Sequence, residues 1–232
     1  MAEDPMKLKH IVFDCDGVLW DGTNDGYFLC YHTAALEARI QLDYGVARER
    51  ILKNWGQSAE LEVQGMIPEH PGLVPQVVEL YRKLVHSDLF LSTASLIPQA
   101  DTVLETLRHR YGLSAITGMN PANLQILLDR FRLRPFFRHA ISTADHIEPH
   151  KQKRTGFDLA RLLESEGLQP EEALVVGDAL VDVEMARHQR VPLVVVLTGH
   201  LTRTQARELG VGHVLPSIAD LPGWLESQEN GR

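Results

Sequence analysis

From Leu113 to Leu215 the chain alternates short apolar runs with amphipathic helical patterns, and nothing else in the sequence constrains its fold as strongly. The runs fall at 113–117, 139–143, 173–177, 192–198 and 213–215. Between them, Asn120-Pro121 offers an N-cap and a first-turn proline, followed by an apolar face of Leu124, Leu127, Leu128 and Phe131. A second helical pattern carries Phe157, Ala160, Leu162 and Leu163 and stops near Gly167. A third runs from Leu180 to His188, and a fourth from Thr202 to Leu209 before Gly210. Strands and helices in this order predict a parallel sheet covered on both faces, with ligands at the carboxyl ends of the strands.

The stretch Ile11-Val12-Phe13-Asp14-Cys15-Asp16-Gly17-Val18-Leu19 reads as the first strand of that sheet, ending in two aspartates at a glycine turn. The next seventy-odd residues break the rhythm. Helical patterns occupy Tyr27 to Arg39, Val46 to Asn54, Ser58 to Met66 and Leu73 to Val85. They define an inserted helical domain over 20–96, with residues 1–19 and 97–232 forming the α/β core. Leu89 to Thr93 also has the look of a short strand. Leu113 to Thr117 is preferred as the second core strand, because a well-capped helix comes directly after it.

Hydrophobic residues make up 44% of the 232-residue chain, ample for a packed core. The net charge of -8, without a long basic run, gives no support for a nucleic-acid partner. No apolar stretch approaches membrane-spanning length, and no secretory segment opens the chain. Two cysteines, Cys15 and Cys30, do not make a disulfide framework, so a reducing cytoplasm is expected. The histidines lack zinc-site spacing. The expected state is a monomer or homodimer.

Asp14 and Asp16, Thr117-Gly118, the lysine-bearing segment after the third core strand, and Asp178 with Asp182 all follow strands that a parallel sheet would bring side by side. Three or four carboxylates meeting a phosphate ester require cations. An all-oxygen ligand set suits Mg²⁺, a lysine adds a second positive charge, and a hydroxyl with backbone N–H groups would hold phosphate oxygens. An aspartate can be the nucleophile while a second carboxylate moves the proton. Cys15 is a poor nucleophile here, since two flanking carboxylates disfavour its thiolate.

Asp14-x-Asp16-Gly17-Val18-Leu19, Thr117-Gly118, a lysine near 151 and Gly177-Asp178-x-x-x-Asp182 resemble the four ordered motifs of the haloacid dehalogenase-like hydrolase superfamily. The likeness spans essentially the whole chain. The insertion resembles the helical cap found in phosphoglycolate phosphatases and β-phosphoglucomutases. This resemblance implies a Rossmann-like core and a Mg²⁺-dependent phosphatase acting on a small phosphorylated metabolite. It makes Asp14 the nucleophile and a metal ligand. Asp16 becomes the general acid/base, with its backbone carbonyl on the metal. Thr117 and Gly118 would bind the phosphoryl group, and Asp178 and Asp182 would complete the metal site.

The chain departs from the pattern at the lysine. Relatives usually carry Lys-Pro, whereas here the sequence is Lys151-Gln152-Lys153-Arg154. Spacing to Phe157 favours Lys151, with Lys153 the second candidate. Ala179 stands where Ser is frequent. The cap loop Gly56-Gln57-Ser58 is the candidate for substrate specificity, since the family places such a loop over the site. A sugar phosphomutase is the main alternative on the same scaffold. A dehalogenase would not need the acid at Asp16, and a receiver-type or degenerate regulatory phospho-acceptor does not fit the long insertion and the intact acidic motifs.

Overall fold

Strand β1 (His10–Phe13) is buried along its whole length, as a central strand of a parallel sheet must be. The computed structural model describes residues 8–55, 57–145 and 153–230. After β1 the strands are β2 (Trp20–Asp21), β3 (Ser95–Leu96), β4 (Gly112–Thr117), β5 (His139–Ser142), β6 (Ala173–Gly177), β7 (Leu193–Val196) and β8 (His213–Leu215). Six of them form a parallel sheet in the order β5-β4-β1-β6-β7-β8. Phe13 stands opposite Ala115 of β4 on one side and Val176 of β6 on the other. The chain builds outward from β1 on one side through β4 and β5, then returns to build the other side from β6. That reversal is where a parallel sheet opens a crevice beyond its carboxyl edge.

The chain divides into two units, Met1–Asp21 with Leu96–Arg232, and Gly22–Ser95. The second unit is helical: α1 (Thr23–Glu37), α2 (Tyr44–Leu52), α3 (Ala59–Met66), α4 (Val74–Leu84) and α5 (Asp88–Leu91). Asp43 caps α2 by accepting the Val46 N–H at 3.1 Å, and Ser58 caps α3 by accepting the Leu61 N–H at 3.4 Å. Phe28, Tyr31, Ala35, Ile51, Val63, Met66 and Val77 make its core. Inside it, the Tyr31 hydroxyl donates to the buried Glu62 carboxylate, and the Tyr31 ring stacks on Tyr81 at 3.6 Å. The apolar run beginning at Leu89 is helix α5, with Ser87 accepting the Leu89 N–H at 3.2 Å, so Gly112–Thr117 is the strand that enters the sheet after β1.

In the first unit, the helices are α6 (Ala100–Leu107), α7 (Pro121–Arg130), α8 (Phe157–Glu166), α9 (Leu180–His188), α10 (Arg203–Glu208) and α11 (Leu221–Asn230). Val12, Ile116 and Val175 pack on one face of the sheet with Leu159, Leu162 and Leu163 of α8 and Met185 and Ala186 of α9. Strand alternation sends Ile11, Phe13, Leu113, Ala115, Leu174 and Val176 to the opposite face, where they are equally buried. Asn120 caps α7, accepting the Ala122 N–H at 2.9 Å. Helix α11 has no counterpart among the sequence expectations. Pro222 and Gly223 disguise it, although proline is tolerated in a first helical turn. No described helix is long and apolar enough to cross a membrane.

Candidate active site

The site begins where β1 ends. The Asp14 N–H still donates to the Val176 carbonyl at 2.8 Å, which carries the sheet pairing one residue further and fixes the Asp14 backbone. The chain then folds into a tight turn in which the Cys15 carbonyl accepts the N–H groups of Val18, Leu19 and Trp20. Gly17 holds φ +72 within it, and a Cβ there would stand 2.7 Å from Asp178 Oδ2. The Thr198 hydroxyl donates to the Gly17 carbonyl at 2.5 Å, tying this turn to the loop after β7.

Four charged side chains meet beyond the sheet edge. Lys153 Nζ lies 2.7 Å from Asp14 Oδ1 and 2.9 Å from Asp182 Oδ1. Asp182 Oδ2 accepts the N–H groups of Asp178 at 3.2 Å and Ala179 at 3.0 Å, so this residue also caps α9. Asp178 Oδ2 accepts the His200 N–H at 2.7 Å. The loop can come this close because residue 199 is glycine: a Cβ there would fall 1.8 Å from the same oxygen.

Oxygen atoms of Asp14, Asp178 and Asp182 all lie within 4.8 Å of one another. Three buried carboxylates therefore face one ammonium. Burial, the largest cause, pushes the Asp14 carboxyl up to about 7; Asp182 and Asp16 push the same way, and Lys153 only partly offsets them. Burial again, then Asp14 and Asp182, push Asp178 up to about 9 against the opposing His200 N–H and Lys153. Burial works to lower the Lys153 pKa, but Asp14 and Asp182 overcome it and hold the ammonium above the usual lysine range. Asp178 Oδ1 is buried with no hydrogen-bond partner. An orphaned carboxylate oxygen beside two further carboxylates fits a hard divalent cation, with Asp14, Asp178 and Asp182 as the side chains that could hold it.

The Asp16 side chain, half-buried, is not in the three-carboxylate cluster; the Trp20 indole N–H donates to its Oδ1 at 3.0 Å. Thr117 is buried at the end of β4, where its hydroxyl accepts the Met119 N–H at 3.2 Å. Gly118 comes next, half-buried. Burial, with Asp14 and Asp16 adding, pushes the Cys15 thiol well above its ordinary range. Lys151 and Gly56 lie outside the described residues. The lysine on Asp14 is Lys153, the second of the two sequence candidates. Gly156 at φ +69 separates Lys153 from α8. Gln57 and Ser58 belong to the Gly22–Ser95 unit; Ser58 is the α3 cap and the Gln57 N–H donates to the Asn54 carbonyl at 3.1 Å. Sequence reasoning missed Trp20, Thr198 and the His200 N–H. A tryptophan four residues beyond Asp16 in an apolar run carries no signal of its own, and a backbone donor carries none at all.

The family model for haloacid dehalogenase-like hydrolases matches residues 8–189. A curated relative, the pyrophosphatase PpaX of Bacillus cereus, is 28% identical over 185 residues, covering 77% of this chain and 78% of its own. Among solved structures, a predicted phosphoglycolate phosphatase from Haemophilus somnus superposes with a TM-score of 0.74 at 19% identity, over 94% of this chain and 98% of its own. A β-phosphoglucomutase candidate from Thermotoga maritima gives 0.74 at 18% identity, over 95% and 99%. At such identities these two share the fold, a Rossmann-like α/β core with a helical insertion. The chain belongs to the haloacid dehalogenase-like hydrolases and is an enzyme of that family.

Proposed function

We propose that this hydrolase is a Mg²⁺-dependent phosphatase that transfers the phosphoryl group of a small phosphorylated metabolite to Asp14 and then to water. The observation that carries the reading is the pairing of Asp14 with Lys153 beside the carboxylates of Asp178 and Asp182. Lys153 would hold one Asp14 oxygen in place and neutralise charge as the nucleophile meets a dianionic ester. The other oxygen attacks phosphorus. The ester P–O bond breaks, and Asp16 gives its proton to the departing oxygen. Asp16 then takes a proton from the water that attacks the aspartyl-phosphate, which releases phosphate and restores Asp14. The Thr117 hydroxyl and the Gly118 N–H would orient the phosphoryl oxygens. Bound Mg²⁺ would supply positive charge between the carboxylates and the phosphoryl group.

Gln57 and Ser58, with Gly56, are assigned to recognition of the leaving group. The name of the Bacillus cereus relative favours pyrophosphate as a second substrate class, since the same steps expel phosphate in place of an alkoxide. A panel of phosphorylated metabolites that includes pyrophosphate and β-glucose 1-phosphate, read by free phosphate and by a phosphomutase assay, tests the reading. The expected result is Mg²⁺-dependent phosphate release that Asp14→Asn abolishes, together with the acid-labile phosphoenzyme. Near-normal turnover by Asp14→Asn would overturn it.

A further inference from the structure

Asp16 differs from the other acids of the site in having an indole as a partner. Asp14 and Asp182 meet Lys153, and Asp178 meets a backbone N–H, but the Asp16 carboxylate receives the indole N–H of Trp20 at 3.0 Å. Trp20 is fully buried. An indole nitrogen can only donate, and a buried one requires an acceptor. The ring has little freedom to leave. It lies against Phe131, with centroids 6.1 Å apart and planes inclined by 31°. Its backbone is bound twice into the turn that carries Asp16: the Trp20 carbonyl accepts the Gly17 N–H at 2.7 Å, and the Trp20 N–H donates to the Cys15 carbonyl at 3.2 Å. The donor and the carboxylate are thus fixed by one five-residue turn, 16–20, whose ends bridge each other.

We infer that Trp20 is a positioning residue for Asp16: its indole N–H holds one carboxylate oxygen and thereby aims the other at the leaving-group oxygen. This rests on the acid/base role proposed for Asp16 above. The consequence is specific to the bond being broken. An alkoxide is a poor leaving group and needs its proton delivered during P–O cleavage, so a misaimed acid is costly. The p-nitrophenolate of p-nitrophenyl phosphate leaves without that help. Trp20 is not a member of the three-carboxylate cluster, so a purely structural defect would slow both substrates alike.

The test compares kcat/KM for an alkyl phosphate substrate and for p-nitrophenyl phosphate in wild type, Trp20→Phe and Asp16→Asn. Phenylalanine keeps an aromatic ring against Phe131 and removes the donor. Trp20→Phe should lower the alkyl phosphate value about tenfold or more and the p-nitrophenyl phosphate value less than about threefold. Asp16→Asn should show the same asymmetry at about a hundredfold or more on the alkyl substrate. If Asp16→Asn shows that loss while Trp20→Phe matches wild type on both substrates, or loses both equally, the positioning role is wrong and the acid/base assignment stands. If Asp16→Asn is near wild type, the acid/base assignment itself falls. Should Trp20→Phe fail to fold, site-specific insertion of benzothienylalanine at position 20 keeps the ring shape and replaces only the N–H with sulfur. The same asymmetry is expected of it, and its absence would overturn the inference.

Discussion

The Lys153 ammonium lies 2.7 Å from Asp14 Oδ1, across 139 residues of sequence, with both side chains buried. Its second contact, 2.9 Å to Asp182 Oδ1, makes it the bridge between the end of β1 and the first turn of α9. Replacing Lys153 with Met should cut kcat/KM on the order of a hundredfold or more, because the attacking carboxylate loses its counter-charge. It should also lower stability by about 3–5 kcal/mol, the cost of stranding a partner of a buried ion pair. Lys151→Ala serves as the comparison and should keep most of the activity. Phosphate release with a urea melt on each variant checks both statements, and the opposite ranking of the two lysines would refute the assignment.

Asp178 and its orphaned oxygen make a prediction that does not depend on turnover. Mg²⁺ added to the enzyme should raise the midpoint of thermal unfolding, since a ligand at one hundred times its Kd stabilises by about 2.7 kcal/mol. EDTA should remove both the shift and the activity. Asp178→Asn should lose most of the shift while remaining folded, as Asn keeps an oxygen for the His200 N–H at half the ligand capacity. A calorimetric scan with and without Mg²⁺ measures this directly. An unchanged midpoint in the wild type would argue against cation binding by these carboxylates.

His10 opens β1 at the opposite edge of the sheet. Its Nε2 lies 2.8 Å from Ser114 Oγ, and its Nδ1 is 3.8 Å from Glu166 Oε2. Despite the serine–histidine–acid composition this is no hydrolytic triad: Ser114 is wholly buried, and the His10–Glu166 distance is too long for a hydrogen bond. Burial lowers the His10 pKa to about 4; Glu166 works to raise it, and Arg138 and His139 to lower it. The unfolded chain takes up this proton near pH 6.5, and the folded protein resists it until about pH 4. His10 therefore supports the fold fully above pH 6.5, and its contribution drains away as pH falls from 6.5 to 4. The expected loss is about 1–3 kcal/mol. Urea unfolding across that range should show a steeper decline in wild type than in His10→Gln. Parallel declines would contradict it.

Much of this architecture is legible in the sequence because each core element announces itself locally. Strands β6 and β8 and helix α9 have the bounds that apolar runs and helical periodicity predict, and Asn120-Pro121 marks the start of α7. The ambiguous run at Leu89 is harder, since four residues cannot display a period; Ser87 decides it by capping a helix. Helix α11 stays hidden behind residues that usually end helices.

The carboxylates of the candidate site are legible for a similar reason. Asp14 and Asp178 directly follow strands, Asp182 lies in the first turn of the helix after β6, and strand order in a parallel sheet brings such ends together. The partners that hold them are not. Which of two nearby lysines reaches Asp14, which loop lends its N–H to Asp178, and which ring restrains Asp16 depend on distances between segments of the folded chain. The alternation of strand and helix and the acids that follow the strands can be read from residue order alone, because periodicity and turn chemistry are local. The contacts of Lys153, His200 and Trp20 come from the folded arrangement, because ion pairs and buried hydrogen bonds depend on ångström-scale proximity that residue spacing does not encode.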